Sequence, residues 1–333
     1  MKTITTTLLS AAALLGSTIA QDEENPFTNA CAVATEKERA EGYTGVPGAD
    51  PEWYFFYKEL QHLAAGDFWS GDYSGTAAKV DPAPIIIDYH EQLKALGVEL
   101  LVIPVPAKAS VYPEKFNPAG APAALAPFLK NLSDAGVQTI DLEEVFKAER
   151  KKNPDQLLYC KTDSHYSPYA TQLIAKLVHD KYKDSDWAKA ISSDTQFVTG
   201  EEKPLTLKGD LTPDKQETLP AVAVNGADGE QVEADDEASS ILLLGDSHSK
   251  VFSTGGELHA TASGLPDHLQ AAFGTKLHLM ANNASGVYTA RVNLMRAAHA
   301  NEDYWTGKKL VIWHFTTRAL TQESKWKKLP AKP

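Results

Sequence analysis

The sequence predicts one α/β domain in which a largely parallel sheet is covered by helices. Two observations carry this. Strand-like and helix-like segments alternate along most of the chain, and the strand-like runs are continuously apolar, as strands buried on both faces must be. No internal repeat and no second globular unit interrupts the pattern. At 333 residues the chain is comfortable for one large α/β domain with extensions.

The elements follow in order. MKTITTTLLSAAALLGSTIA has an early Lys2, an apolar stretch from Leu8 to Leu15, and small Thr18 and Ala20 before QDEEN. This reads as a secretory signal over residues 1–20, its apolar stretch being short for a membrane anchor of roughly 20 residues. Residues 21–50 are polar with Gly and Pro and are expected to be irregular. EWYFFYKELQHLAAGDFW, residues 52–69, is dense in aromatics and is expected to pack on the main body. Residues 83–97 have helical spacing closed by Gly97, and VELLVIPV (98–105) is a continuous apolar strand. A helix ending at Gly136, a strand at 137–142, a charged helix and a short strand QLLYC (156–160) come next. Residues 167–183 form a helix with Ser167 as N-cap and Pro168 at the first position. Residues 184–236 are less regular, with short strands and an acidic loop. The strand ILLLG (241–245), a helix near 248–257, a strand at 276–281, a helix from about 286 to 299 and a strand at 309–315 complete the alternation. The domain is therefore placed at 51–322, with 323–333 as a solvated tail.

The formal charge is −12, and loss of Lys2 with the signal makes the mature chain slightly more negative. Such a field repels nucleic acid and anionic membranes, so nucleic acid is excluded as a partner. A polyanionic substrate would need a local basic groove, and a neutral acceptor suits the chain better. Cys31 and Cys160 both lie in the exported part. An even pair in an oxidising compartment is most simply a disulfide, two buried thiols being the alternative. Two cysteines without clustered histidines make no zinc site, so no metal is expected.

The chemistry centres on ILLLGDSHS. A parallel sheet binds ligands at the carboxyl ends of its strands, and a serine at a strand-to-helix turn is exposed there beside free N–H groups. Gly245 permits a tight turn. Ser247 needs a base to act as a nucleophile. Adjacent His248 is a poor candidate, since neighbours on a turn diverge. LLYCKTDSHYSPYA offers Asp163 and His165, two residues apart in an extended segment, which points both the same way. The carboxylate can then orient the ring while its other nitrogen faces a serine. The bland alternatives are a turn aspartate and a satisfied core histidine.

Gly-Asp-Ser after an apolar strand resembles the SGNH/GDSL hydrolase superfamily, whose usual members place the serine early and an Asp-x-x-His pair near the C-terminus. Here the order is reversed and the pair shortened to Asp-x-His. That permuted arrangement is similar to the alginate O-acetyltransferase family of the AlgX/AlgJ type. EWYFFYKELQHLAAGDF, the Pro-x-Pro-x-Lys turn in LVIPVPAKASVYPEKF, KTDSHYSPYAT and LVIWHFTTRAL agree with it over roughly residues 52–320. The resemblance implies a three-layer SGNH-like fold and a permuted triad, with Ser247 as nucleophile, His165 as base and Asp163 as orienter. It also implies an exported, periplasmic polysaccharide O-acetyltransferase without a dissociable cofactor, served by a membrane-bound acetyl-donor partner. The acceptor would be a polysaccharide or oligosaccharide. An acetylesterase of the same fold and a non-catalytic scaffold of the export machinery are the competing readings. The chain departs from the family at Asp246 and His248 and lacks the Gly-x-Asn-Asp block that usual members use for the oxyanion. Asn282, Asn283 or Gly286 in MANNASGVYTAR are candidates for that role, a simple loop turn being the alternative. Lys108 and Arg318 are candidates for steadying a carbonyl or a sugar, each equally able to pair with a carboxylate.

Overall fold

The computed structural model describes residues 25–332 apart from 43, 72, 192–194, 213 and 284–285, so the signal-like segment 1–20 lies outside the described residues. The strands are β1 (Gly45–Pro47), β2 (Tyr54–Phe56), β3 (Glu99–Val105), β4 (Gln138–Thr139), β5 (Phe197–Lys208), β6 (Gln216–Gly226), β7 (Ile241–Gly245), β8 (His278–Ala281) and β9 (Leu310–Thr316). Five of them form an all-parallel sheet in the order β4-β3-β9-β7-β8. The late strand β9 is thus inserted between β3 and β7, and their carboxyl ends lie side by side.

The apolar runs explain the layering. Successive side chains on a strand point to opposite faces, and both faces here are covered. Leu101, Ile103, Ile241, Leu243 and Ile312 pack with Ile174 and Val178 of helix Pro168–Tyr182 and Leu269 of helix Leu265–Phe273. Leu100, Val102, Leu242, Leu244 and Trp313 pack with helices Ala83–Ala95, Ala126–Asp134 and Gly286–Ala300. Each fully buried side chain of this kind contributes about 1.5–3 kcal/mol. The result is a helix–sheet–helix sandwich, as the apolar runs predict.

Several expectations are corrected. Residues 156–160 are not a strand. Their polar groups are used locally, Ser167 N–H donating to Leu158 O (3.0 Å) and Cys160 N–H to His165 O (3.2 Å), so the chain doubles back through the Tyr159–Tyr166 bridge. The N-terminal segment is not irregular: Pro26–Glu41 is a helix, with Phe27, Cys31 and Thr35 buried at four-residue spacing. Phe27 sets its ring edge against Phe116 at 5.6 Å. No disulfide joins Cys31 and Cys160; both are free, fully buried thiols in the same apolar cluster. They pack as small apolar side chains, and burial pushes the Cys31 thiol up to about 12 and Cys160 well above its ordinary value. The helix expected near 248–257 is reduced to short turns, because positive φ at Phe252, Gly255 and Gly256 breaks it. The tail is not solvated as a whole: Trp326 and Ala331 are buried, and Trp326 donates to Ala319 O at 2.9 Å. Finally, the less regular region contains a long antiparallel hairpin, β5–β6, whose outer strand is exposed at Glu201, Glu202, Lys203 and Pro204.

Candidate active site

The site forms where β7 and β9 end. Asp246 follows β7, and its carboxylate stitches the two strands together. Oδ1 accepts the His248 N–H (2.9 Å), and Oδ2 accepts the N–H (3.0 Å) and hydroxyl (3.2 Å) of Thr316. Burial opposes the charge, but His248 and the Arg318 cation hold this carboxyl far below the usual range. The turn uses the N–H groups of His248, Ser249, Lys250 and Val251 in its own hydrogen bonds, and not that of Ser247. Gly245 is required for a reason other than backbone freedom. A Cβ there would lie 2.0 Å from Ser249 Oγ and 2.4 Å from the His314 carbonyl oxygen. Gly245→Ala is accordingly expected to push β7 away from β9 and to cost about 1–3 kcal/mol as an overpacked core does. A thermal melt checks this, and an unchanged Tm contradicts it.

Asp163 and His165 arrive on the loop between the Tyr159–Tyr166 bridge partners, and several buried groups fix that loop. Lys108 Nζ donates to the carbonyls of Asp163 (2.5 Å), Tyr54 (2.7 Å) and Lys161 (3.4 Å). Glu217 on β6 accepts the N–H of Lys161 and of Thr162, at 2.9 and 2.8 Å. Asp210 accepts the Ser164 N–H and hydroxyl, both at 2.6 Å. Ser247 Oγ then lies 2.9 Å from His165 Nε2, and His165 Nδ1 lies 2.7 Å from Asp163 Oδ1. Asp163 is fully buried and accepts three further N–H groups, from His165 N (2.9 Å), Asp210 N (2.9 Å) and His259 Nε2 (2.9 Å). Burial alone would raise its pKa, but the hydrogen bonds from the two histidines hold it well below the usual range. Burial alone would lower His165; the hydrogen bond and charge of Asp163, helped by Asp210 and Asp246, raise it above its ordinary 6.5.

The other expected residues separate. His248 is buried with its Nδ1 3.6 Å from Asp246 Oδ1 and its ring 4.6 Å from that of His165, and burial lowers its pKa to about 3. Lys108 is buried beneath the loop and bonds only backbone oxygen there; it braces Asp163 and does not reach the groove. Arg318 does line the groove, 3.4 Å from Glu59 Oε1 and stacked 5.2 Å over the Phe56 ring. The Asn282 N–H is taken by Gly245 O (3.2 Å), and its side-chain oxygen by Asn293 (3.2 Å), whereas Asn283 lines the groove. Gly286 begins the following helix. Sequence reading missed His259, Glu59 and the double role of Asp210. These stand far from the motif in the chain, and only the fold brings them to it.

The groove holds about 890 Å³ and is open, at the upper end of ordinary ligand pockets. Lys58, Lys208, Arg318 and Lys325 line it together with Asp210, Asp246, Glu257 and Glu323, so its local charge is balanced despite the acidic chain. Asp163, His165 and Asp210 bring donor atoms within 4.8 Å of one another. They do not suit a cation, because both Asp163 oxygens already accept two N–H groups each.

A serine at the carboxyl edge of a parallel sheet, bonded to a histidine bonded to a buried aspartate, defines a Ser-His-Asp α/β protein of the SGNH hydrolase-like class. The chain belongs to the family described as "SGNH hydrolase-like domain, acetyltransferase AlgX", which matches residues 49–317. It is 30% identical over 163 residues to the probable alginate O-acetylase AlgJ of Azotobacter vinelandii, covering 46% of this chain and 39% of that one. It is 25% identical over 173 residues to the probable alginate O-acetylase AlgJ of Pseudomonas aeruginosa, covering 51% and 41%. The chain thus spans less than half the length of these curated relatives. Among solved structures it is similar to the O-acetyltransferase domain of Pseudomonas putida AlgJ, with TM-score 0.58 at 20% identity over 83% of this chain and 92% of that chain. Pseudomonas aeruginosa AlgX matches with TM-score 0.58 at 18% identity, over 88% and 67%. These likenesses establish the three-layer fold.

Proposed function

We propose that the chain is an exported, periplasmic O-acetyltransferase that places acetyl groups on polysaccharide or oligosaccharide hydroxyls through an acetyl-Ser247 intermediate. The observation that carries this is the pair of hydrogen bonds, 2.9 and 2.7 Å, linking Ser247, His165 and Asp163 at an open groove. His165 Nε2 takes the Ser247 proton as Oγ attacks the acetyl carbonyl, and returns it to the departing donor group. The Ser247 N–H, unused in the hydrogen bonds of its turn, and Asn283 in the groove lining are the candidates to meet the developing oxyanion. His165 then deprotonates a sugar hydroxyl, which attacks the acetyl carbon, and returns that proton to Oγ as the acetyl–Ser247 bond breaks. The residues perform every proton transfer, so no cofactor enters the scheme. A membrane-bound partner supplies the acetyl donor. The balanced lining accommodates a neutral or a mildly acidic acceptor, and its open form suits a polymer that passes along it.

The test uses a chromogenic acetyl ester as donor with an oligosaccharide acceptor. An acetylated oligosaccharide and an acetylated Ser247 peptide by mass spectrometry are the expected products. Acetate with no acetylated sugar under any acceptor tried would make the protein an acetylesterase. No turnover and no acetyl-Ser247 would leave the scaffold reading.

A further inference from the structure

The buried carboxylate of Asp163 serves two histidines. Oδ1 faces His165, and Oδ2 accepts the Asp210 N–H and His259 Nε2, each at 2.9 Å. A carboxylate only accepts, so Nε2 of His259 carries a proton and the ring acts as a donor to it. The backbone at His259 is unusual in a way that points to this side chain. His259 sits at φ 75°, ψ −67°, and the Ala260 N–H donates to Leu258 O at 3.0 Å across it. This is the rare, strained three-residue γ-turn with positive φ, a conformation that costs stability for any residue with a Cβ.

Positive φ recurs through this stretch, at Phe252 (63°), Gly255 (65°), Gly256 (61°) and Ala262 (58°), and His259 at 75° is the one of these whose side chain bonds Asp163. The turn is closed on itself by Phe252 N–H to Leu258 O (2.9 Å) and Gly255 N–H to Ala260 O (2.8 Å), and buried Leu258 anchors it in the core. Glu257 and Asp210 accompany His259 in the groove lining, and the Phe252 ring lies 5.8 Å from its ring.

We propose that His259 is a positioning residue for acyl transfer, clamping the outer oxygen of Asp163 so that the inner oxygen stays aligned on His165. This rests on the Ser247–His165–Asp163 reading. Without the clamp, Oδ2 keeps only the Asp210 N–H, and the carboxylate is held by three N–H groups instead of four, which loosens its alignment on His165. Small misplacements of a catalytic group cost up to about 100-fold in rate.

Three full-length variants, assayed for turnover and thermal stability, test the proposal. His259→Gly relieves the backbone strain and removes the donor. It is expected to lower kcat by about 10- to 100-fold while Tm stays level or rises. His259→Gln reaches as far as Nε2 and keeps an N–H, so it should recover kcat to within about threefold of wild type. Ser247→Ala reports on the underlying reading. If it turns over like wild type, the triad itself is wrong. If it is inactive while His259→Gly retains wild-type kcat, only the clamp is overturned. A loss of activity in His259→Gly that follows a fall in Tm and is not recovered by Gln also overturns it, since that is how a purely structural residue behaves.

Discussion

Ser247→Ala is expected to lower acyl transfer by about 10⁴- to 10⁶-fold while leaving the fold intact. The size follows from the geometry. The hydroxyl is the proposed nucleophile, and its side-chain partner is His165 Nε2 at 2.9 Å. Its loss removes the nucleophile and leaves groove and oxyanion donors behind, so a small residual rate over water should persist. The turn does not depend on the hydroxyl: Asp246 and the backbone bonds of Ser249, Lys250 and Val251 hold it. Tm should therefore stay within a degree or two, at about the resolution of a surface substitution. Combining Ser247→Ala with His165→Ala should add little further loss, because the two act as a unit. Full turnover in Ser247→Ala, measured with acceptor and donor saturating, would remove the acetyl-serine mechanism. His248→Ala makes the contrast, since a neighbouring base would give equal losses.

Asp163→Asn is expected to be nearly as damaging to rate, about 10⁴-fold, and also to destabilise the fold. Four N–H groups converge on the carboxylate, two on each oxygen. An amide accepts on one atom only, so whichever way it flips, two buried donors lose their partner. Each orphaned donor costs about 1–3 kcal/mol. The pH behaviour separates this from simple unfolding. His165 must be neutral to accept a proton, and its pKa lies above 6.5 chiefly because Asp163 outweighs burial. Wild-type kcat/KM should therefore fall as pH drops through a value above 6.5. In Asp163→Asn the raising partner is gone and burial remains, so the acid limb moves to lower pH. For stability the signs differ. Asp163, depressed in the fold, contributes above its ordinary 3.8 and loses that contribution as pH falls through its lowered value. His165, raised, contributes below 6.5 and loses that contribution as pH rises through its folded value. An unchanged acid limb in the variant would show that Asp163 does not set the base.

The sheet was legible because its strands are apolar on both faces; ILLLG and LVIWHFT admit little else. The serine at the strand end was legible with it, whereas Asp163 and His165 face the serine from bends at 161–165, where the His165 N–H folds back on Asp163 Oδ1, and not from the extended segment expected. The stretch QLLYC misled, because an apolar pentapeptide reads as a strand whether its N–H groups face a neighbour or fold back on Tyr166. Lys108 misled differently: a cation near a strand end can point to substrate or to backbone, and here three carbonyls claim it. His259 carried no signal, since neither its γ-turn nor the Asp163 oxygen ninety-six positions away is written in local spacing. Cys31 and Cys160 show how compartment arguments yield to packing: each fills a place in the core that a thiol suits.

The β5–β6 hairpin has a bearing on how copies of the chain behave at high concentration. Its outer strand, twelve residues long and paired with β6 alone among the described residues, leaves one side of its backbone unpaired, the kind of edge on which another molecule's strand can add. Glu201, Glu202 and Lys203 stand exposed along that edge, and Pro204 deprives it of a donor. These residues act as gatekeepers. Neutralising the acids together with Pro204→Val would be expected to leave the chemistry untouched and to lower the concentration at which the protein precipitates.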